Sequence, residues 1–380
     1  MKKRLNIGIV CYPTVGGSGV VATELGKKLA ERGHTIHFIS SNIPFRLKKI
    51  YPNVFYHIVD VNQYSVFQYP PYDIQLACKI AEVITREKLD IIHAHYALPH
   101  AVCSILGREM ARRDVKIVTT LHGTDITILG QDSSLKEAIR FGIEKSNIVT
   151  AVSQSLAKQT KNEISPNKEI QVVYNFIDET TYRKVDSYSL REKYGILPEE
   201  KVILHVSNFR PVKRIQDILR TFQLVQKQIP AKLILVGDGP EMARMLDLTE
   251  KLNITNRVLF LGSQENLVEL YSLSDCLMLL SEKESFGLVL IEAMACGVPC
   301  IGTNVGGIPE VIDHGKNGFV CEVGDIEGIA DATIKLLTDE ILHNTFSDLS
   351  IRRVQEKFSS EEILNQYEEL YYQLIEMEDE

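Results

Sequence analysis

Along almost the whole chain, short β-branched apolar runs alternate with amphipathic stretches of helical period, and this alternation constrains the fold more than any other feature. In the first half the runs read "LNIGIVC" (5–11), "TIHFIS" (35–40), "VFYHIVD" (54–60), "DIIHAH" (90–95), "KIVTTL" (116–121), "NIVTAV" (147–152) and "IQVVYN" (170–175). Helical periodicity fills most of the gaps, as at 74–88 and 101–112. Continuously apolar strands must be covered on both faces, and strands joined through helices pair in parallel. Each repeat therefore reads as one strand of a parallel sheet with its covering helix.

The polar stretch 178–189 breaks the rhythm and reads as a linker. The alternation then restarts with "KVILHVS" (201–207), "AKLILVG" (231–237), "RVLFLG" (257–262), "DCLMLLS" (275–281) and "VPCIGT" (298–303). A chain of 380 residues exceeds one ordinary core, so two domains are expected. The pattern predicts an α/β protein of two Rossmann-like domains facing a central cleft, 1–177 and 178–359. A last helical stretch, 360–376, follows "RRVQEKF" and is expected to cross back, so that 360–380 packs on the first domain.

Bulk composition excludes several partners. A net charge of −8 argues against a nucleic-acid or anionic-membrane surface. No apolar run is long enough to span a bilayer, and the apolar part of "MKKRLNIGIVCY" is too short for a signal peptide and reads as a strand. Seven dispersed cysteines without C-x-x-C spacing point to a reducing, cytoplasmic setting. A homo-oligomer is left open.

Residues 10–33 place Gly17, Gly19 and Ala22 in the spacing G-x-G-x-x-A at a strand-to-helix junction, the outline of a dinucleotide fingerprint. Such a site wants a carboxylate at the end of the second strand. Here that strand ends with Ser40, Ser41 and Asn42, and G-x-x-x-x-G-K-[ST] is absent. A nicotinamide cofactor is therefore not expected, nor any other. Gly16, Gly17 and Gly19 instead predict a flat backbone surface and an exposed helix start for an anionic or hydroxylated ligand. A plain tight turn is the alternative.

The clearest chemistry lies in "SEKESFGLVLIEAMACGVPCIGTNVGGIPEVI" (281–312). Ser285, Phe286 and Gly287 read as the start of a helix whose amides, continuing to Leu288, would attract a diphosphate. Glu292, inside that helix, suits the two hydroxyls of a ribose, and Glu284 a sugar hydroxyl beside the phosphates. Taken singly, two glutamates eight apart are ordinary solvated residues; joined to the small "EAMACG" face and the "GTNVGG" loop they form a constellation.

The histidines of "HAHYALPH" (93–100) raise a metal reading through His93 and His95, whose side chains share one face of a strand. No third ligand is signalled, so buried, paired histidines are expected. The sequence holds no Asp-x-Asp. No metal is expected. "FRLKK" (45–49) reads as a solvated basic turn, or as the lining of an acceptor entrance.

"ESFGLVLIE" (284–292) resembles the E-x7-E signature of retaining glycosyltransferases of family 4, which have the GT-B fold. "GGSG" (16–19), "LHGTD" (121–125), "YNFID" (174–178), "LILVGDGPE" (233–241) and "VGGIPEVI" (305–312) resemble further motifs of that family, across nearly the whole chain. The resemblance implies a nucleotide-sugar donor, with His122 contacting the donor sugar and Lys213 and Arg210 neutralising the leaving phosphate. In "SNFRPVKR" (207–214) the family pattern departs, because Asn208 stands where an arginine is usual and Arg210 follows two residues later. That variant resembles a subgroup joining N-acetylglucosamine to L-malate on the way to bacillithiol. It implies a UDP-GlcNAc donor, held by Gly17, Asn208, Ser285, Phe286, Gly287, Leu288 and Glu292. It also implies a small carboxylate acceptor, for which Ser18, Tyr96 and Thr120 offer hydroxyls, with Arg210 serving phosphate, acceptor or both. Alternatives are another family 4 acceptor (inositol phosphate, polysaccharide or lipid) and a non-catalytic nucleotide-sugar-binding module.

Overall fold

Thirteen strands organise the chain, all paired in parallel, as seen in a computed structural model that describes residues 3–14, 16–44, 47, 50–61 and 71–376. The first seven are β1 (Asn6–Val10), β2 (Thr35–Ser40), β3 (Val54–Ile58), β4 (Ile91–His95), β5 (Lys116–Leu121), β6 (Ile148–Ala151) and β7 (Gln171–Val172). They form one sheet in the order β3-β2-β1-β4-β5-β6-β7. The remaining six are β8 (Lys201–Val206), β9 (Ala231–Val236), β10 (Val258–Phe260), β11 (Cys276–Leu279), β12 (Cys300–Thr303) and β13 (Gly318–Cys321), in the order β10-β9-β8-β11-β12-β13.

The sequence reading found every strand except β13. That strand is four residues long, sits at the sheet edge and is only partly buried, so no apolar run announces it. Its pairing with β12 supplies the order that the side chains do not.

Both sheets are doubly wound, as continuous apolar strands require. β1, β4 and β11 are buried at almost every position. The helix Tyr72–Glu87 buries Leu76, Ala77, Ile80, Val83 and Ile84, a spacing of one face.

The chain divides into two units, Met1–Asn175 with Ser360–Glu380, and Phe176–Ser359. The helix Ser360–Glu376 belongs to the first. It buries Ile363, Leu364, Tyr367, Leu370, Tyr371 and Leu374, and Arg32 holds Glu368 at 2.6 Å. In the second unit the two chain passages at its boundary run side by side, with the Ile177 amide donating to the Phe358 carbonyl. Among the described residues no helix is long and apolar enough to cross a membrane, and all seven cysteines are free.

Candidate active site

In the second unit the strand order reverses between β8 and β11. Ligands of doubly wound sheets gather outside the carboxyl ends of the strands at such a switch point. The connections leaving it carry Lys213, in the short turn Pro211–Lys213, and Glu284. The Glu282 amide donates to the Val212 carbonyl at 2.9 Å, which fixes one connection against the other. The Lys213 ammonium then donates to Glu284 Oε2 at 2.6 Å, and both side chains are largely shielded.

The "GTNVGG" loop closes on the same place. Gly307 donates its amide to the Glu284 carbonyl at 3.0 Å. Gly306 has φ +53°, and a Cβ there would lie 1.7 Å from that carbonyl oxygen. Only glycine permits so close an approach.

The helix begins later than the sequence suggested. It runs Leu288–Ala295 behind Gly287 at φ +90°. Ser285 and Phe286 therefore precede it, and Phe286 is buried with its ring 5.5 Å from that of Phe358. Gly287 has no side chain to cap the first turn, so the amides of Leu288 and Val289 are left without an intrahelical acceptor. The positive end of the helix is thus backbone only.

Glu292 lies in the second turn of this helix and is almost fully buried. Tyr182 donates to its Oε1 at 2.8 Å and Tyr271 to its Oε2 at 2.7 Å. The two tyrosines orient the group. Burial, and then the Glu292 charge, push the Tyr271 hydroxyl well above its ordinary range. It therefore remains a donor. Sequence reasoning missed both tyrosines: Tyr182 stands in the polar stretch read as a linker, and Tyr271 resembles any core aromatic. Asn208 and Arg210 are exposed on the connection after β8, and the guanidinium is not part of the Lys213–Glu284 pair.

The first unit repeats the geometry, with its reversal between β1 and β4. After β1 the chain turns into the helix Gly17–Glu31. A Cβ on Gly19 would lie 2.4 Å from the Thr14 carbonyl oxygen, whereas at Gly17 it would meet open space. Gly19 is thus needed for the turn, and Gly17 leaves the backbone accessible. Tyr96 follows β4 at φ +90°, and its hydroxyl donates to Ser18 Oγ at 2.8 Å. Two of the three hydroxyls assigned to the acceptor therefore meet.

The third does not. Thr120 is fully buried, and its Oγ1 lies 2.7 Å from His93 Nε2 and 2.7 Å from Thr150 Oγ1. Both faces of β5 are covered, and the Thr120 hydroxyl is turned to these buried partners and not to the surface.

His93 and His95 stack at 4.4 Å, and His95 stacks in turn on His122, with Nδ1 to Nε2 at 2.8 Å. The pair is a buried aromatic ladder, as read from the sequence. Burial holds His93 at about 3 and His100 at about 4, and burial with the nearby His100 holds His122 at about 3. His122, the partly exposed end of the ladder, is therefore a neutral hydrogen-bonding group at physiological pH.

Asp125 fixes the "LHGTD" turn by accepting from the Gly123 amide at 2.9 Å and the Ala97 amide at 3.1 Å. Burial raises its carboxyl to about 6 against those bonds. The stretch 45–49 lies outside the described residues except for Leu47.

Two family models match the chain: "Glycosyltransferase Family 4" over residues 15–181 and "Glycosyl transferases group 1" over 186–352. The chain is 60% identical to the N-acetyl-alpha-D-glucosaminyl L-malate synthase of Bacillus anthracis over 98% of both proteins. It is 29% identical to a D-inositol 3-phosphate glycosyltransferase of Rhodococcus jostii, over 85% of this chain and 77% of that one. Among solved structures, Anabaena HepE in complex with UDP-glucose superposes with a TM-score of 0.84 at 22% identity, over 97% of this chain and 100% of that one. A glycosyltransferase from Rickettsia africae gives the same TM-score at 22% identity, over 98% and 99%. The chain belongs to glycosyltransferase family 4 and is a glycosyltransferase of the GT-B fold.

Proposed function

We propose that the protein transfers N-acetylglucosamine from UDP-GlcNAc to the hydroxyl of L-malate with retention at the anomeric carbon, the first step of bacillithiol synthesis. The observation that carries this reading is the 60% identity to the malate synthase across 98% of both chains. The second unit supplies the donor chemistry. Glu292 takes the ribose hydroxyls, the amides at Gly287 and Leu288 face the diphosphate, and Glu284 holds a sugar hydroxyl and the Lys213 ammonium. As the glycosidic bond breaks, negative charge grows on the leaving phosphate, and Lys213 and Arg210 stabilise it; one such preorganised donor is worth about 2.7–4 kcal/mol. The acceptor hydroxyl bonds to the anomeric carbon on the face that UDP leaves, and its proton passes to the departing phosphate.

In the first unit Gly17 leaves its backbone open to the donor, and His122 contributes a neutral hydrogen bond to the donor sugar. Ser18 and Tyr96 take the acceptor. Residues 11–26 contain no Lys or Arg, which suits a carboxylate better than a phosphate because it needs less charge neutralisation. The test is UDP release with L-malate, D-malate, lactate or inositol phosphate as acceptor, with and without EDTA. L-malate should turn over fastest, and EDTA should leave the rate intact, because the charge is met by side chains and amides. Faster turnover with inositol phosphate, or loss of activity in EDTA restored by Mg²⁺, overturns this assignment.

A further inference from the structure

At the outer edge of the first sheet, His37 on β2, His57 on the edge strand β3 and Glu87 at the end of the helix Tyr72–Glu87 each bring one potential ligand atom within 4.8 Å of the other two. None of the three has a part in the chemistry above. His37 Nδ1 and His57 Nε2 lie 2.9 Å apart, with ring centroids at 5.2 Å. The register explains the meeting, since Ile39 faces His57 and His37 faces Phe55, making the histidines diagonal neighbours. His37 is buried and His57 nearly so, whereas Glu87 reaches the surface.

The protons on this pair follow from its neighbours. Arg86 Nη2 donates to His57 Nδ1 at 3.0 Å. That nitrogen is therefore an acceptor, so the His57 proton sits on Nε2 and is donated to His37 Nδ1. Burial and the facing His57 bring His37 down to about 4; burial and Arg86 lower His57 as well. With Nδ1 of each ring accepting a hydrogen bond, both imidazoles are neutral in this arrangement, the form that ligates a metal.

We propose that His37, His57 and Glu87 form a binding site for a first-row divalent cation of the Zn²⁺ type, which ties the edge strand β3 to β2 and to the helix end. Two imidazoles and one carboxylate suit Zn²⁺ or Co²⁺; Mg²⁺ and Ca²⁺ prefer oxygen donors throughout. Metal–nitrogen bonds of about 2.0–2.1 Å in tetrahedral geometry place two ligand nitrogens roughly 3.3 Å apart. The pair therefore opens by a few tenths of an ångström. The His57 proton transfers from Nε2 to Nδ1, and Arg86 releases that nitrogen, with no net proton lost. Arg86 is over half exposed and is already paired with Glu82 and Glu87 at 2.7 Å. Lys79 is held by Glu82 at 2.7 Å. Glu82 thus keeps a partner for both local cations when Glu87 turns to the metal, and water completes the metal's coordination.

The experiment titrates EDTA-treated, dialysed full-length protein with Zn²⁺, Co²⁺ and Mg²⁺. It uses a Cys78→Ser background, because Cys78 is the exposed thiol. Calorimetry, Co²⁺ absorption and thermal unfolding are the readouts. One equivalent of Zn²⁺ or Co²⁺ should bind, with tetrahedral nitrogen–oxygen d–d bands and a raised Tm, and Mg²⁺ should do neither. His57→Gln and Glu87→Gln, checked for native circular dichroism, should each lose at least tenfold in affinity. The second variant changes a surface carboxylate and keeps the test open should the first fail to fold. Unchanged stoichiometry and affinity in Glu87→Gln, a thiolate charge-transfer band, or no binding at micromolar Zn²⁺ overturns the proposal. Because the donor and acceptor residues lie elsewhere, UDP release by the metal-free protein separates failure of this site from failure of the transfer reaction.

Discussion

Glu292 is a buried carboxylate whose two oxygens are each met by a tyrosine hydroxyl. Burying a charge without partners is costly, and hydrogen bonds to the charged form offset that cost. Tyr182 and Tyr271 thus fix the direction of the carboxylate. In Tyr182→Phe/Tyr271→Phe the carboxylate loses these two donors and its orientation is free to drift. Each hydrogen bond to a charged group is worth about 1.5–3 kcal/mol. With the ribose role proposed for Glu292, the donor KM should rise by about tenfold or more while kcat changes little, since the contact is made equally in ground and transition states. Steady-state kinetics in UDP-GlcNAc checks this, and an unchanged KM removes the tyrosines from donor binding.

At the scale of elements, what the sequence disclosed depended on period. Strands with continuous apolar runs and helices with one apolar stripe were legible, whereas β13 was not, because a four-residue edge strand buries too little to leave a pattern. The site was legible where local sequence builds it. Glu284 and Lys213 stand on connections from adjacent strands, and they do meet. Thr120 is instead enclosed by His93, Thr150 and Tyr367, long-range partners that its position near the strand end does not disclose. Tyr182, over a hundred residues from Glu292, shows that long-range pairing leaves no local trace. The terminal helix Ser360–Glu376 is a further long-range element, held by Arg32 and His34 on Glu368. Two hydrogen bonds to the same shielded carboxylate predict that Glu368→Ala lowers the stability of the first unit by about 1–3 kcal/mol. Hydrogen exchange should speed up in peptides spanning residues 29–34 and 360–376. Exchange confined to residue 368 and its neighbours would mean that apolar packing alone anchors the helix.

On the scale of the whole chain, the two units carry unequal numbers of buried neutral histidines. In the first, burial leads the depression of His93, His95, His100 and His122, with His37 and His57 shifted the same way. In the second, His205 behaves likewise, held at about 4. An unfolded histidine takes up a proton near pH 6.5, whereas His93, His100 and His122 stay neutral in the native state until about 3–4, and His95 is lowered in the same direction. As the pH falls through that window the unfolded chain binds more protons than the native one, so stability falls with it. Asp125 works in the opposite direction: raised to about 6, it binds its proton first in the native state and offsets one histidine. Six lowered histidines less Asp125 leave the first unit a net of five such groups, against His205 alone in the second, so the first unit is far the more acid-sensitive. Carboxylates with lowered values, such as Glu368 and Asp313, add their losses only further down, in the carboxylate range. Urea unfolding followed by pulsed hydrogen exchange, compared near pH 7 and near pH 5, should show the midpoint of Met1–Asn175 falling several times more than that of Phe176–Ser359. Replacing His100, whose Nε2 has no partner and is buried, with Gln should flatten that dependence in the first unit only. Equal midpoint shifts in the two units would show that the ladder is already protonated, or open to water, in the native state.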